Sequence, residues 1–390
     1  MKKTKSLLLL LLVIINALVS SGCMKSDPLI KNVHTELKGN PQIKILKSSI
    51  KAELNNDDNV KLHFTDTNLK SNDFYNVQII TKKEDSIIAE IIGGKNDINS
   101  KSVSTKFDSK KNEINKIVKT DENGRCDFTV DIKGSGDFKI KSVNISSASQ
   151  CQDYKIYQSD DKTVRIIFNS KDVKNSGCQD EVIINWLNNL STVRKTLRQF
   201  SDNGLKTVDY CAVNQFEHYG LSGNPIYINS KYVVEDLKSV KDNKTEILWR
   251  YVHEMAHYAD GYGSGKIASR VFDSELSAQL ECAYALTVNN FKYSNGKTAV
   301  EYFAKNTNLA NGVYSDESFL LKLFRIFEEV DPKLRGLKQA FLSDKYKSDM
   351  SEYEKLTVFL NEISNAVGIN IYDFFTNKEI RAVTNKFLIQ

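Results

Sequence analysis

Five short segments in the first part of the chain carry apolar residues at every second position. They are residues 60–64, 75–79, 87–92, 128–132 and 138–140. Alternation of this kind, bounded by Asn, Asp, Gly and Ser, predicts half-buried antiparallel strands. The series of strands predicts a β-sandwich, which we place at residues 46–150. Residues 96–125 interrupt the pattern with a long polar stretch, which favours an extended surface loop or a partly helical segment.

The hydrophobic pattern changes near residue 151. Val164, Ile166 and Phe168 predict one more strand, and apolar residues then recur at helical spacing. Strand signals return at residues 206–213 and 225–229, and the remaining patterns are helical. The helical patterns cover residues 180–200, 243–260, 273–290, 315–329 and 351–367. Mixed strands and helices predict an α+β domain at residues 151–390, so the fold class of the whole chain is α+β.

The N-terminus has the pattern of an export signal. Lysines among the first five residues precede an apolar run at residues 7–19, which is shorter than the roughly 20 residues that span a bilayer. Ser-Ser-Gly then precedes Cys23, an ending that resembles a bacterial lipobox. The resemblance implies that residues 1–23 form a lipoprotein signal, that a lipid on Cys23 anchors the protein to the bacterial membrane facing outside, and that residues 24–45 are a tether. An ordinary secretory signal is the alternative.

Charge and cysteine content narrow the functional classes. The net charge of +5 arises from 54 basic and 49 acidic residues that are mixed along the chain. Without a dense basic stripe, we expect no nucleic-acid partner. Five cysteines follow Cys23, an odd number that cannot all pair within one chain, and the sequence fixes no pairing. No C-x-x-C occurs, so we do not expect the cysteines to bind a metal.

The clearest chemical motif is H-E-x-x-H, formed by His253, Glu254 and His257. On a helix, residues four apart project from the same side, so both imidazoles can bind one zinc ion. Glu254 can then take a proton from the water that completes such a site. Asn243 and Glu246 resemble a capping box that opens this helix.

The third ligand must come from elsewhere in the chain. Position 263, six residues after the second histidine, is Gly, which excludes a ligand on the same turn. The predicted helix at residues 273–290 offers Glu275 as a ligand. Gln279 shares its face and can accept a hydrogen bond from the free N–H of a ligand histidine. Glu281 is the rival ligand, and because it points about 240° away from Glu275, only one of the two can face the ion.

These residues together resemble the gluzincin zinc metallopeptidases. The resemblance rests on His253-Glu-Met-Ala-His257 and on Glu275 within Glu-Leu-Ser-Ala-Gln. The chain is most similar to the enhancin-like, mucin-targeting peptidases, whose second helix carries an amide four residues after the ligand Glu. The likeness covers residues 160–390 and includes the segment at residues 368–375.

The resemblance implies a zincin-like domain with a small upper sheet and a helical lower lobe. It also implies one zinc ion and hydrolysis of peptide bonds in extracellular proteins or glycoproteins. The chain departs from the family at Ala256, where Gly is frequent, and at Gln279, where Asn is frequent. A non-catalytic adhesin or glycan-binding lipoprotein is the competing function.

Two features of the substrate site stay open at this point. We expect a substrate peptide to add as a strand beside residues 224–230, the last predicted strand before the motif. An oxyanion-stabilising group is required on electrostatic grounds, and His218, Tyr302 and Tyr314 are candidates. We expect the phenylalanines of the late helices to lie in the core rather than in a substrate pocket.

Overall fold

The computed structural model describes residues 33–46, 49–83, 86–94, 97–99, 101–107, 112–201, 205–242, 246–260, 274–293, 296–305 and 316–381. The chain divides into two compact units between Lys155 and Ile156. The first unit consists of two β-sheets, and the second combines a third sheet with helices. The α+β fold class that the hydrophobic pattern predicts is confirmed.

The strands are short and mostly antiparallel. They are β1 (His34–Lys38), β2 (Gln42–Leu46), β3 (Ser49–Leu54), β4 (Asn59–Asp66), β5 (Phe74–Lys83), β6 (Ile88–Ile92), β7 (Thr105–Lys106), β8 (Glu113–Lys119), β9 (Cys126–Lys133), β10 (Gly136–Ser147), β11 (Tyr154–Gln158), β12 (Val164–Asn169), β13 (Val208–Ala212), β14 (Gly220–Leu221) and β15 (Ile226–Ile228). Each of the five predicted alternating segments lies within or overlaps a strand of the first unit.

The first unit is a β-sandwich. Its sheets have the strand orders β1-β4-β9-β6-β7 and β2-β3-β10-β5-β8. Inward-facing residues of both sheets form one hydrophobic cluster, in which Val60, Leu62 and Val130 are fully buried. Because side chains alternate between faces along a strand, one face of each sheet is apolar and the other is polar. The alternation of apolar and polar residues in the sequence therefore results from this packing.

The interpretation of residues 24–45 as a tether is wrong for the part that the structure describes. Strand β1 pairs with β4, and β2 pairs with β3, so both belong to the sandwich. Most of their residues are exposed, with only Thr35 and Ile43 partly buried. Edge strands of this kind bury little on either face, so their sequences lack clear alternation.

The interpretation of residues 96–125 as a loop or partly helical segment is wrong for the strands β7 and β8. Strand β8 pairs with β5 in register from Phe74 opposite Lys119 to Ile80 opposite Glu113. The inward position between its apolar residues is Lys116, which is 1% exposed and donates from Nζ to the carbonyl of Val103 at 2.8 Å. Because a lysine takes one of the inward positions, the sequence of β8 does not show the alternation of apolar and polar residues.

The α-helices of the described residues all belong to the second unit. They are α1 (Ser170–Ser176), α2 (Asp180–Leu197), α3 (Ser230–Lys241), α4 (Trp249–Asp260), α5 (Ser274–Val288), α6 (Ala299–Ala304), α7 (Asp316–Val330), α8 (Arg335–Leu342) and α9 (Glu352–Val367). Helix α4 carries the H-E-x-x-H motif. The predicted cap Asn243 lies outside the described residues, and the helix begins later than we expect from the sequence.

The sheet of the second unit has the strand order β11-β12-β13-β15-β14. Strands β12, β13 and β15 are parallel, and β14 pairs antiparallel with β15. The sequence pattern misses β11, β14, α1, α3, α6 and α8. Phe324 and Phe327 on α7 are fully buried, which confirms that these rings belong to the core.

Two further findings concern membrane-spanning helices and disulfides. Among the described residues no helix has the length and apolar character needed to cross a membrane. No disulfide forms among the described cysteines, so the fold in this part of the chain is held by packing and hydrogen bonds.

The paired rings of Phe64 and Phe128 provide a test of the sandwich core. They are directly opposite on β4 and β9, with centroids 4.9 Å apart and each 1% exposed. We expect Phe128→Ala to lower the free energy of unfolding of this unit by about 3–5 kcal/mol, measured by hydrogen exchange of the amides in β4 and β9. Ile88→Ala, at a side chain that is 63% exposed, is the control. Equal protection in both variants would contradict the expectation.

Candidate metal centre

Helix α4 presents its two histidines because its opposite side is buried. Tyr251, Val252 and Met255 are fully buried in the core of the second unit. This burial fixes the rotation of the helix, since residues three and four apart lie on one side. His253 and His257 therefore project together from the remaining face, towards the start of α5.

Three side chains bring donor atoms together at this point. Nε2 of His253 lies 3.1 Å from Oε2 of Glu275, and Nε2 of His257 lies 3.2 Å from Oε1 of the same carboxylate. The two Nε2 atoms are 3.2 Å apart. The structure thus places both histidines of the motif and the favoured third residue in one group.

The donor set fits a tetrahedral metal ion. Bonds near 2.0–2.1 Å to a tetrahedral Zn²⁺ place neighbouring ligand atoms about 3.3 Å apart. The three distances among His253, His257 and Glu275 are 3.1–3.2 Å, so the donor atoms would only have to move slightly apart to hold the ion. Two imidazole nitrogens and one carboxylate are ligands that catalytic zinc sites use. A fourth position remains for water.

Glu281 is not part of this group. Its side chain is fully buried beside Cys282, whereas Glu275 lies in the first turn of α5 and reaches the histidines. Gln279 is half-buried on α5. The hydrogen bond that we expect with Gln279 is not formed at Nδ1 of His253, which is buried and has no partner among the described residues.

Glu275 is held in its ionised form by the histidines. Its hydrogen bond with His253 is the main cause that lowers its pKa to about 2, and the charge of His257 acts in the same direction. Burial opposes this effect. A carboxylate that stays deprotonated is the form that binds a metal ion.

Glu254 lies beside the donor group in a drier environment. Burial is the main cause that raises its pKa to about 7, and a hydrogen bond from the backbone N–H of Ser222 opposes the shift. The carboxylate packs against Gly220 of β14 so closely that a Cβ on this glycine would lie 2.7 Å from Oε1. Strand β14 therefore both orients Glu254 and requires glycine at this position.

Sequence reasoning missed a group of buried aromatic and acidic side chains behind the motif. The Tyr251 ring contacts the rings of Trp186 and Tyr210, with centroids 4.9 and 5.5 Å away. Its hydroxyl lies 3.4 Å from Asp236, which also accepts a hydrogen bond from the Tyr219 hydroxyl. Burial is the main cause that raises the pKa of Asp236 to about 6. These residues come from separate elements, so no local pattern could reveal them.

The oxyanion candidates are not resolved by the geometry. His218 is exposed, and its backbone carbonyl accepts a hydrogen bond from Nδ2 of Asn229 at 2.8 Å. Tyr302 is 40% exposed and contacts Tyr293, with ring centroids 4.5 Å apart. Tyr314 lies outside the described residues, as does Gly263.

Comparisons with known proteins give only distant matches. Neither a protein-family model nor a curated protein matches the chain. The structure is similar to the ZmpB metallopeptidase from Clostridium perfringens over 83% of this chain and 74% of that one, with 10% identity and a TM-score of 0.38.

Other similar structures match about a third of this chain. A family 11 carbohydrate-binding module from Clostridium thermocellum covers 32% of this chain and 94% of its own, with 13% identity and a TM-score of 0.22. Tailspike protein 4 of bacteriophage CBA120 matches 30% of this chain and only 20% of its own, with 11% identity and a TM-score of 0.24. Similarity at these TM-scores supports no conclusion about the activity of this chain.

Substitution of Glu275 tests the donor group directly. We expect Glu275→Gln to weaken Zn²⁺ binding by at least about 100-fold, because it removes a charged ligand, and competition with a chromogenic chelator measures the affinity. Glu235→Gln, at an exposed residue of α3, is the matched control and should leave the affinity unchanged. Unaltered affinity in Glu275→Gln would move the third ligand to Glu281.

Proposed function

We propose that the chain is a surface-anchored, zinc-dependent endopeptidase that hydrolyses extracellular proteins or glycoproteins. The observation that carries the proposal is the group formed by His253, His257 and Glu275, whose donor atoms lie within 4.8 Å of one another. Glu254 adjoins this group, as hydrolysis requires. The likeness of these motifs to the gluzincin metallopeptidases supports the same reaction class.

Each residue of the site has a separate role in this proposal. His253, His257 and Glu275 would hold the ion. When bound, zinc supplies a Lewis acid that polarises the scissile carbonyl and lowers the pKa of a water towards about 7. An Oε atom of Glu254 accepts the proton of the attacking water and returns it to the departing amine.

The position of Glu254 supports its role as the base. Its carboxylate is fixed between Gly220 and the backbone N–H of Ser222, on the same helix as the two histidines. A base held by packing and a hydrogen bond needs little reorganisation during proton transfer.

The position that we expect for a substrate peptide changes once the sheet topology is known. We expect from the sequence that a peptide pairs beside residues 224–230, but β15 already has β13 and β14 as neighbours. The strand at the end of the sheet order is β14, which packs against Glu254. A peptide that adds to β14 would therefore lie next to the base, and this strand is the substrate position that we propose.

Two substitutions test the mechanism. We expect Glu254→Gln to retain zinc but lose about 10²–10⁴-fold in rate, because it removes the base. Gly220→Ala should lose about 10²-fold, because its methyl group displaces the carboxylate. Mass spectrometry of cleavage products from a peptide and glycoprotein panel measures the activity. Glu235→Gln, at an exposed residue of α3, is the control.

Full activity in Glu254→Gln would exclude the proposed base. Zinc binding without cleavage of any panel member by the unaltered protein would instead favour the adhesin or glycan-binding alternative.

Membrane anchoring has a test of its own. We expect the mature protein to begin at a lipid-modified Cys23, and Cys23→Ser to abolish the lipid and the membrane fraction in a bacterial host. Cys151→Ser, at a partly buried thiol, is the control. Mass spectrometry of the N-terminal peptide makes the measurement. A cleaved protein without lipid would show an ordinary secretory signal.

A further inference from the structure

One face of the sandwich carries a row of four lysines on adjacent strands. Lys44 on β2 is directly opposite Lys51 on β3, Lys51 is opposite Lys139 on β10, and Lys139 is opposite Lys82 on β5. Neighbouring strands lie about 4.7–4.9 Å apart, so the row extends across the sheet with one positive charge per strand.

These charges are not neutralised within the described part of the chain. None of the four lysines forms an ion pair there. Like charges directly opposite on neighbouring strands destabilise a sheet. The nearest acidic residues on the same face are Glu53 and Asp137, which are opposite each other in the next row. The lysine row therefore raises the energy of the unliganded sandwich.

The other sheet of the sandwich shows a different arrangement on its outer face. Lys61 is directly opposite Asp131, and Nζ of Lys133 lies 3.1 Å from the same carboxylate. Lys61 is also directly opposite Glu36 on β1. Charges of opposite sign are thus interleaved on that sheet. Both sheets contain lysines, so composition alone does not explain why one sheet carries a row of lysines without acidic partners.

The lysine row lies along a groove with a volume of about 460 Å³. Lys83 and Lys141 add two further positive charges to its lining, and the carboxylates of Glu53 and Asp137 line it as well, so six lysines outnumber two acidic residues. Phe138 is the aromatic residue that lines the groove, and it is only 1% exposed. The groove thus lacks the exposed rings on which bases of single-stranded nucleic acids stack. Recognition by this surface depends on charge.

We propose that this groove binds a linear anionic polysaccharide whose carboxylate or sulfate groups lie along the lysine row. The spacing between the lysines, about 5 Å, is roughly the length of one sugar ring, so successive anionic sugars match successive strands. The concave surface accommodates a chain, whereas a membrane surface requires a flat or convex contact. This site is separate from the proposed peptidase centre and does not depend on it.

Binding of a heparin-derived octasaccharide to the full chain tests the proposal. We expect Lys51→Gln with Lys139→Gln to weaken binding by about 10- to 30-fold, because two central charges are lost. The matched control is Lys38→Gln with Lys61→Gln on the other sheet, which removes the same net charge and should change the affinity less than threefold. Calorimetry at several salt concentrations measures both, and the salt dependence should decrease in the first variant only.

Other outcomes would overturn the proposal. Equal weakening in the two double variants would show that binding follows net charge rather than the row. Binding to phosphatidylglycerol vesicles or to a DNA oligonucleotide, but not to the octasaccharide or hyaluronan, would assign another partner. No binding to any of these probes would also overturn it. Loss of the lysines should not lower the unfolding temperature, because repulsion is removed, so misfolding is distinguishable from lost binding.

Discussion

The site depends on the burial of one side chain, the ring of Tyr251. This ring joins the motif helix to α2 through Trp186, to β13 through Tyr210 and to α3 through Asp236. The backbone carbonyl of Tyr251 also accepts a hydrogen bond from the Tyr210 hydroxyl at 2.8 Å. Because His253 follows two residues later on the same helix, these contacts determine where its imidazole points. The packing of Tyr251 on the buried side of the helix thus determines which side chains the opposite, histidine-bearing side presents.

The candidate ligands were predictable in part from helical spacing. His253 and His257 are four residues apart on the amphipathic helix α4, Glu275 lies in the first turn of α5, and the structure brings the three side chains together. The neighbour of Glu254 was not predictable, because Gly220 belongs to a strand of only two residues. A strand this short leaves no alternation in the sequence. Its role arises from tertiary contact with the helix.

The sequence also predicts only some of the strands of the sandwich. Strands β4, β5, β6, β9 and β10 were evident from alternation, whereas β1, β2 and β8 were not, nor was β3, although one of its faces is buried. Strands β1 and β2 expose most residues, and β8 places Lys116 at an inward position, where its Nζ reaches the carbonyl of Val103. In each case the cause is a backbone pairing or hydrogen bond between residues distant in the chain. The local hydrophobic pattern indicates which side chains are buried, but it does not indicate which strands pair with each other.

The three donor side chains differ greatly in their access to solvent. The side chain of Glu275 is 68% exposed, whereas those of His253 and His257 are 14% and 7% exposed. An ion held here would be shielded by imidazole on one side and open on the other. Exchange of the ion with a chelator would then begin with displacement of the carboxylate. The lifetime of the bound ion would therefore depend on the first turn of α5, which carries Glu275. A lifetime that changed only with substitutions in α4 would contradict this.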